Sequence, residues 1–479
     1  MPDKEGQNLS NEQKRKKMLA HISQRVHASS PLPKNNSERK LQTKLDKLMH
    51  RLQDETVSET NLVDLLTEYA LTLQEQAEQQ KEEENGDVVE GLHAKACVAY
   101  EFASKWKERY TIYYNWAIAV GDRARVLESK RPEEARVLWR EACEKYEKAV
   151  AVGMERSYLR GKEGFSGESV TSMSVSRALN NHGLALRQRA MLMTDSETEE
   201  STESKSKCLS EAILKFRRAI RISPDFHRAA YNLGTVEFAR GQMERAAVYV
   251  FSALAMVTSA LPSSSETENA KVVYSQSAQL VETALPDTQC GDDSLFAGNV
   301  WFAGGVGGKR EDAKNKRRTT ITDFDWARRR FAVCASAFKT VDSAQTFRIK
   351  SESGDYVPSR NDAWGYDAAP DTHFNVNLPM LSVESCEPIS DISRPPNCFA
   401  FLLSIRDDLK DSEKENDDKD SPPAVVRHYR FACETESERD VWVDAIALLA
   451  SLAKRGKSEH LKSCLLSLKT KRKKRVGFV

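Results

Sequence analysis

Histidine and cysteine, the residues with the widest chemistry, are scattered along this chain. The nine histidines form no pair at metal-ligand spacing, and the nine cysteines lie at least twelve residues apart. This spacing favours neither paired metal ligands nor a disulfide framework. The cysteines fit a protein of the reducing cytosol.

Two other segments resemble catalytic motifs but are incomplete. The stretch KEGFSGES lacks the Gly-x-Ser-x-Gly spacing that presents a nucleophilic serine. In the Gly-rich stretch AGNVWFAGGVGGKR, Ala303 replaces the first glycine of a phosphate-binding loop. Arg310 replaces the Ser or Thr that would ligate magnesium. We therefore expect a protein that is not an enzyme and that holds no cofactor or metal ion.

Charge and hydropathy limit the classes of partner. The 72 Lys and Arg residues balance 71 Asp and Glu, so a strong electrostatic field requires local segregation, and we expect no nucleic acid. No run of about eighteen apolar residues is present to span a bilayer, and the basic N-terminal stretch has no signal-peptide core. Neither a myristoylation glycine nor a prenylation cysteine is present. We expect a soluble chain whose membrane contacts are peripheral.

A pattern of small, large and small residues at offsets of four and seven occurs four times. On a helix these offsets place three side chains on one stripe, where alanine lets a neighbouring helix approach closely. A helical segment precedes each copy, which predicts paired helices that bury their faces by stacking. The copies are Ala96/Tyr100/Ala103, Ala142/Tyr146/Ala149, Ala212/Phe216/Ala219 and Ala246/Val250/Ala253.

The last two copies resemble the tetratricopeptide repeat. They are 34 residues apart and carry that family's pattern of small, large and helix-ending residues. The matching residues are Ala212, Phe216, Ala219, Pro224, Asn232, Leu233, Gly234, Gly241, Ala246 and Ala253. After them, Ala270, Val273, Leu280 and Ala284 predict the buried face of a helix that caps the last repeat.

The resemblance implies a concave surface, lined by the first helix of each pair, that binds a protein partner. Asn115, Asn181 and Asn232 occupy equivalent positions, and Arg177 and Arg228 precede the last two by one turn. These side chains could hold a peptide backbone or carboxylate, or the asparagines could serve packing between repeats. Chaperone-binding members use a clamp of Lys, Asn and Arg. Here Tyr114 and Ile118 stand where its first repeat needs Lys and Asn, so a chaperone cofactor is only an alternative.

The C-terminal half changes to a strand pattern. Phe399, Phe401, Leu403 and Ile405 alternate with other residues, and Tyr429, Phe431 and Cys433 do the same. A helix then begins with a capping box at Thr435 and Glu438 and buries Trp442, Ala445, Ile446, Leu449 and Ala453. Strands followed by one Trp-anchored helix resemble a pleckstrin-homology domain. The stretch WARRRFAV is similar to that family's first hairpin.

Two basic clusters could contact an anionic lipid or phosphate. Arg328, Arg329 and Arg330 lie in WARRRFAV, although Ala327 stands where phosphoinositide-binding members usually have Lys. The second cluster, in the stretch KTKRKKR, could be a membrane contact, a nuclear import signal or a solvated tail. Its residues are Lys471, Arg472, Lys473, Lys474 and Arg475.

The sequence thus predicts a multidomain chain, an all-α tetratricopeptide solenoid followed by a mostly-β, pleckstrin-homology-like barrel with one C-terminal helix. The predicted segments are a disordered basic tail at 1–40, helical repeats at 41–262 with a disordered insert at 194–207, a capping helix at 263–285, a Gly-rich basic linker at 286–318, the β domain at 319–454 with a charged loop at 407–423, and a basic tail at 455–479.

The domain arrangement is similar to that of plant-type trafficking adaptors, some linked to actin. It implies a cytoplasmic scaffold that binds a protein partner through its repeats and contacts a trans-Golgi or endosomal membrane through its β domain and basic tail. A nuclear or RNA-processing scaffold is the alternative, because the stretch EEARVLWREACEKY resembles the half-a-tetratricopeptide repeat.

Overall fold

The structure is a computed structural model that divides into two compact units. We call Met1–Ile222 the helical unit and Ser223–Val479 the mixed unit. The model describes residues 13, 16, 35–54, 57–80, 82–159, 170–193, 199–258, 265–286, 290, 292–304, 325–341, 347–350, 376–390, 397–406 and 426–476. The predicted loop 407–423, and most of the predicted tail 1–40, lie outside these residues.

The helical unit consists, in its described part, of consecutive packed helices. Side chains of Asn35, Ser58 and Thr171 cap the first, second and sixth helices by accepting a backbone N–H. The helices are α1 (Asn36–Gln53), α2 (Glu59–Gln79), α3 (Glu82–Trp106), α4 (Tyr110–Leu127), α5 (Pro132–Leu159), α6 (Ser172–Met191) and α7 (Glu199–Ile222).

The predicted small-large-small stripes form the core between these helices. In all three copies of the helical unit the alanines have no solvent exposure, and the larger residues Tyr100, Tyr146 and Phe216 are buried. Gly183 on α6 shows how closely the helices approach, since a Cβ there would lie 2.7 Å from the Phe216 ring on α7. The described helices therefore support the prediction of stacked helices.

Two segments that the sequence predicted to be disordered contain the start of a helix. Helix α1 begins at Asn36, inside the predicted tail 1–40, where Asn35 supplies the N-cap. Helix α7 begins at Glu199, inside the predicted insert 194–207. The acidic residues of that insert suit the first turns of a helix, because the helix dipole favours negative charge there.

The mixed unit combines helices with an antiparallel sheet. Its helices are α8 (His227–Ala239), α9 (Met243–Thr258), α10 (Ser265–Val281), α11 (Glu436–Lys454) and α12 (Ser458–Val476). Its strands are β1 (Ser294–Gly304), β2 (Asp325–Cys334), β3 (Ala337–Thr340), β4 (Phe347–Lys350), β5 (Asn377–Pro379), β6 (Val383–Ile389), β7 (Phe399–Arg406) and β8 (Val426–Cys433).

The sheet is open, so the predicted closed barrel is wrong. Seven strands follow the order β5-β3-β2-β1-β8-β7-β6, and β4 pairs with β2. In the described part of the chain the end strands β5 and β6 do not pair with each other, whereas a barrel requires every strand edge to be paired. Pro379 in β5 and Pro388 in β6 lack the amide hydrogen that such pairing uses.

Strand β1 lies inside the segment 286–318, which the sequence predicted as a linker. Glycine is depleted in strands, so the Gly-rich sequence of this segment suggested a loop. Here Gly298 permits close packing, because a Cβ at this position would lie 3.3 Å from the Trp442 indole. Phe296 packs edge-on against the same indole, with ring centroids 4.7 Å apart.

Helix α11 agrees with its prediction. The Thr435 hydroxyl accepts the Glu438 N–H at 3.1 Å, which caps the helix. Trp442, Ala445, Ile446 and Leu449 are buried, whereas Ala453 is only half-buried. The predicted strands around Phe401 and Phe431 are β7 and β8.

Helix α9, the second helix of the last predicted repeat, packs against α11, the helix that follows the sheet. It is buried on all sides from Ala246 to Val257, as expected of a helix that is apolar all round. Tyr249 donates a hydrogen bond to Asp444 of α11 at 2.9 Å, and Arg245 donates one to Ser437 at 2.5 Å. The hairpin of α8 and α9 therefore belongs to the mixed unit. The sequence instead predicted it as part of the helical repeats at 41–262.

Helix α10 is rotated relative to its prediction. Val273 and Leu280, expected to be buried, are 43% and 59% exposed. Tyr274, Ala278 and Val281 are buried instead, and the Tyr274 ring stacks on Tyr231 of α8 at 4.1 Å. Stacking of two large rings buries more apolar area than burial of Val273 would, which accounts for the different buried face of α10.

Within the predicted tail 455–479, residues Ser458–Val476 form helix α12. Leu461, Leu465 and Lys469, spaced four residues apart, form its buried stripe. The Lys469 ammonium donates to the Ser294 carbonyl at 3.1 Å and to its hydroxyl at 3.0 Å, and burial lowers the pKa of this lysine. No helix in the described part of the chain has the length and apolar character that a bilayer span requires.

Candidate functional site

A concave site in the helical unit is a groove between α4 and α6, with α5 as its floor. Its volume is about 530 Å³, which is within the range of ligand sites in proteins. The residues that line it are Ile118, Gly121, Asp122 and Arg125 of α4, Trp139 and Tyr146 of α5, and Asn181, Leu184, Ala185, Arg187, Gln188 and Met191 of α6. We call this site the α4–α6 groove.

Trp139 forms a fixed part of the floor. A Cβ at Gly121 would lie 2.9 Å from the Trp139 ring, so glycine is what allows α4 to approach the indole. Trp139 donates its indole N–H to Glu128 at 2.8 Å, which orients the ring. Both contacts orient the indole, and such preorganisation lowers the entropic cost of binding.

Tyr146 forms the other part of the floor and keeps it uncharged. Burial raises the pKa of Tyr146, and Tyr114 and Asp122 nearby raise it further. The His182 ring stacks on Tyr146 at 6.4 Å, and burial lowers the pKa of His182 to about 3, so this imidazole is neutral near pH 7. Asn181 donates its side-chain N–H to the Tyr114 hydroxyl at 3.1 Å, which holds the amide at the groove.

The rim carries the charge of the groove. Arg125 donates to the Asp122 carboxylate at 2.7 Å. Burial raises the pKa of Asp122, and Arg125 offsets part of this effect. Arg187 is a second cation among the residues that line the groove. Guanidinium groups at this position suit a ligand that carries an anionic group.

Only one of the five predicted peptide-binding residues lines the α4–α6 groove. Asn181 does so, whereas the half-buried Asn115 and the exposed Arg177 are not among its lining residues. Arg228 and Asn232 lie on α8 of the mixed unit, exposed and half-buried respectively.

The groove residues that sequence reasoning missed share a recognisable spacing. Ile118, Asp122 and Arg125 lie at offsets of four and seven on α4. Leu184, Gln188 and Met191 repeat these offsets on α6. Such offsets place residues on one face of a helix. The same spacing on α4 and α6 is therefore the sequence signal that indicates these groove residues.

The predicted lipid residues Arg328 to Arg330 do not form one cluster. Successive residues of a strand point to opposite faces, so Arg329 lies with buried Phe331, and the other two lie on the reverse face. Arg328 pairs with Glu434 at 2.7 Å. Lys471, Arg472, Lys473, Lys474 and Arg475 lie in the last turns of α12, and their side chains are outside what the structure describes.

Comparison with known protein families and with curated proteins finds no match for this chain. Within the described ranges, no group of three or more His, Cys, Asp or Glu residues is arranged to hold a metal ion. The α4–α6 groove, with its volume, aromatic floor and charged rim, is the candidate functional site in the described part of the chain.

Proposed function

We propose that this protein is a non-enzymatic scaffold or adaptor that binds a segment of a protein partner in the α4–α6 groove. The observation that carries the proposal is the groove itself, with a neutral floor of Trp139 and Tyr146 and a rim of Arg125 and Arg187. A volume of about 530 Å³ accommodates a few side chains of a peptide. The aromatic floor suits an apolar residue, and the arginines suit a neighbouring carboxylate.

Close contacts between paired helices support a tetratricopeptide-like arrangement for this scaffold. In two hairpins a glycine of the first helix touches the larger motif residue of the second. Gly183 faces Phe216, and a Cβ at Gly234 would lie 2.7 Å from the Val250 side chain. The groove is lined mainly by α4 and α6, the predicted first helices, as in the concave surface of that family.

The two-carboxylate chaperone clamp is less well supported. Tyr114, which stands where that clamp needs Lys, instead accepts a hydrogen bond from Asn181. Ile118, where the clamp needs Asn, adds an apolar surface to the groove. We therefore propose a partner segment with one acidic group beside an apolar residue.

The sheet order supports a pleckstrin-homology-like domain in the mixed unit. One three-strand meander, β1 to β3, and another, β6 to β8, join through β1 and β8, and a Trp-anchored helix follows. On this basis we propose that the mixed unit contacts an internal membrane, at the trans-Golgi network or endosome, and that the adaptor acts in trafficking or actin organisation.

Peptide selection tests the groove directly. We expect full-length protein to select, from a random peptide library, sequences with an acidic residue next to an apolar one. Arg187→Glu should weaken their binding by about tenfold or more, because it replaces a charge-assisted contact by repulsion. Fluorescence anisotropy of the labelled peptides would measure the change.

The matched control is Arg140→Glu, which makes the same charge change on α5 at an exposed position outside the groove lining. This variant should bind the selected peptides like the unchanged protein. Equal loss in Arg187→Glu and Arg140→Glu, or no loss in either, would contradict binding in the groove.

The basic end of α12 gives a test of the membrane contact. Replacing residues 471–475 by Gln should lower sedimentation with phosphatidylserine liposomes, and raised salt should do the same to the unchanged protein. Each Lys or Arg near an anionic leaflet contributes about 1 kcal/mol. Neutral phosphatidylcholine liposomes serve as the control. If liposome binding is unchanged while nuclear accumulation is lost in cells, the nuclear scaffold replaces the membrane adaptor.

A further inference from the structure

Asn181 connects a polar network in the wall of the α4–α6 groove to its floor. Its side-chain N–H donates to the Tyr114 hydroxyl at 3.1 Å. Its side-chain carbonyl oxygen accepts an N–H of buried Asn180 at 3.1 Å. The Tyr114 ring meets the Tyr146 ring of the floor edge to face, with centroids 6.2 Å apart. The Asn181 amide is thus held in place by contacts within the protein.

The hydroxyl of Tyr146 is the polar group of the floor. Burial raises the pKa of Tyr146, and a hydrogen bond with the Asn181 side chain opposes this shift. A bond that favours the charged form of a tyrosine is one that its oxygen accepts, so Asn181 is the donor. The hydroxyl keeps its own hydrogen to donate. Because Tyr146 lines the groove, a bound ligand can accept this hydrogen.

The Asp122 carboxylate on α4 limits which acceptor fits beside this hydroxyl. Its negative charge adds to burial in raising the pKa of Tyr146, so it disfavours a second negative charge there. A carboxylate of the ligand would therefore be repelled at this position. A neutral carbonyl oxygen accepts the same hydrogen bond and meets no such repulsion.

We infer that the Tyr146 hydroxyl donates a hydrogen bond to a main-chain carbonyl of the bound segment, and that Asn181 positions this hydroxyl without contacting the ligand. The inference rests on the proposed function of the groove and adds the residue that reads the backbone of the segment. A carbonyl held at the floor fixes the register of the segment. Its apolar side chain then lies on Trp139, and its acidic group lies at the arginines of the rim.

Tyr146→Phe tests the contact, because it removes the hydroxyl and keeps the ring. In full-length protein it should raise the dissociation constant of the selected peptides about five- to tenfold, as expected for one lost hydrogen bond. Tyr100→Phe is the matched control. Tyr100 takes the same place in the first small-large-small stripe, and its hydroxyl donates to Gln74 at 2.6 Å, outside the groove lining. This variant also loses a buried hydroxyl, yet it should bind the peptides like the unchanged protein.

Thioamide substitution along a selected peptide identifies the carbonyl, since sulfur is a weaker acceptor than oxygen. One position should weaken binding to the unchanged protein and have no effect on binding to Tyr146→Phe, as expected for two groups in contact. Asn181→Ala should weaken binding of the unsubstituted peptide. Adding Asn181→Ala to Tyr146→Phe should cause no further loss, because Asn181 acts through the hydroxyl.

The outcomes separate this inference from the proposed function. If Arg187→Glu weakens peptide binding and Tyr146→Phe does not, the groove binds the peptide but the hydroxyl contact is overturned. Equal weakening in Tyr146→Phe and Tyr100→Phe would also overturn it, because the loss would then reflect stability. A further loss on adding Asn181→Ala would show that Asn181 itself contacts the ligand. If no peptide binds in the groove, both the proposed function and the inference are wrong.

Discussion

Replacing Tyr249 with alanine should lower the free energy of unfolding of the mixed unit by about 3–5 kcal/mol, the usual cost of removing a buried aromatic ring. Tyr249 has no solvent exposure, and its hydroxyl donates to buried Asp444 at 2.9 Å. The variant would leave both a cavity and a carboxylate without its Tyr249 donor.

Tyr249→Phe separates the two contributions. It keeps the ring and removes only the hydroxyl, and we expect a loss of about 1–3 kcal/mol because the carboxylate loses its Tyr249 donor. Hydrogen exchange measured by mass spectrometry would assign the loss to a unit. Faster exchange in α9 and α11, with α4 to α6 unchanged, is the expected pattern. Unchanged exchange in α11 would contradict the packing of the α8–α9 hairpin against α11.

Replacing Phe216 with alanine should destabilise the helical unit by a similar amount, about 3–5 kcal/mol. The ring has no solvent exposure and lies against Gly183, where even a Cβ would approach it to 2.7 Å. Its removal therefore opens a cavity at the contact between α6 and α7. Since α6 forms one wall of the α4–α6 groove, peptide binding should weaken as well.

Leu214→Ala is the matched control for this change. Leu214 lies two residues away on the same helix and is 58% exposed. Its truncation should change stability by about 0.5 kcal/mol or less, as for most surface substitutions. Chemical denaturation followed by circular dichroism would compare the two variants. Equal losses would show that the small-large-small stripe does not form the core of the unit.

Local signals in the sequence predicted α11 well. Its cap, Thr435, and its anchor, Trp442, are seven residues apart, and both act within or next to one helix. The prediction of which face of α10 is buried was wrong, because apolar residues occur on more than one of its faces. The stacking of Tyr274 on Tyr231 selects the buried face, and the sequence of α10 alone does not contain that information.

Long-range packing accounts for the features that the sequence did not predict. Strand β1 depends on Gly298 lying under Trp442, a residue far along the chain. Of the residues that line the candidate groove, the sequence predicted only Asn181 as a binding residue. Arg125 and Arg187 join it because α4 and α6 pack on either side of α5, an arrangement that propensity and periodicity within one helix do not specify.

The bond between Tyr249 and Asp444 spans 195 residues of chain, and this has a consequence for truncated alleles. A premature stop codon before α11 would remove the helix against which α9 packs. The ribosome would then release a chain in which the side of α9 that packs on α11 is exposed to water, a substrate for chaperones and proteases. Such an allele should behave as a loss of the whole protein, and its phenotype would not report on the missing sheet alone.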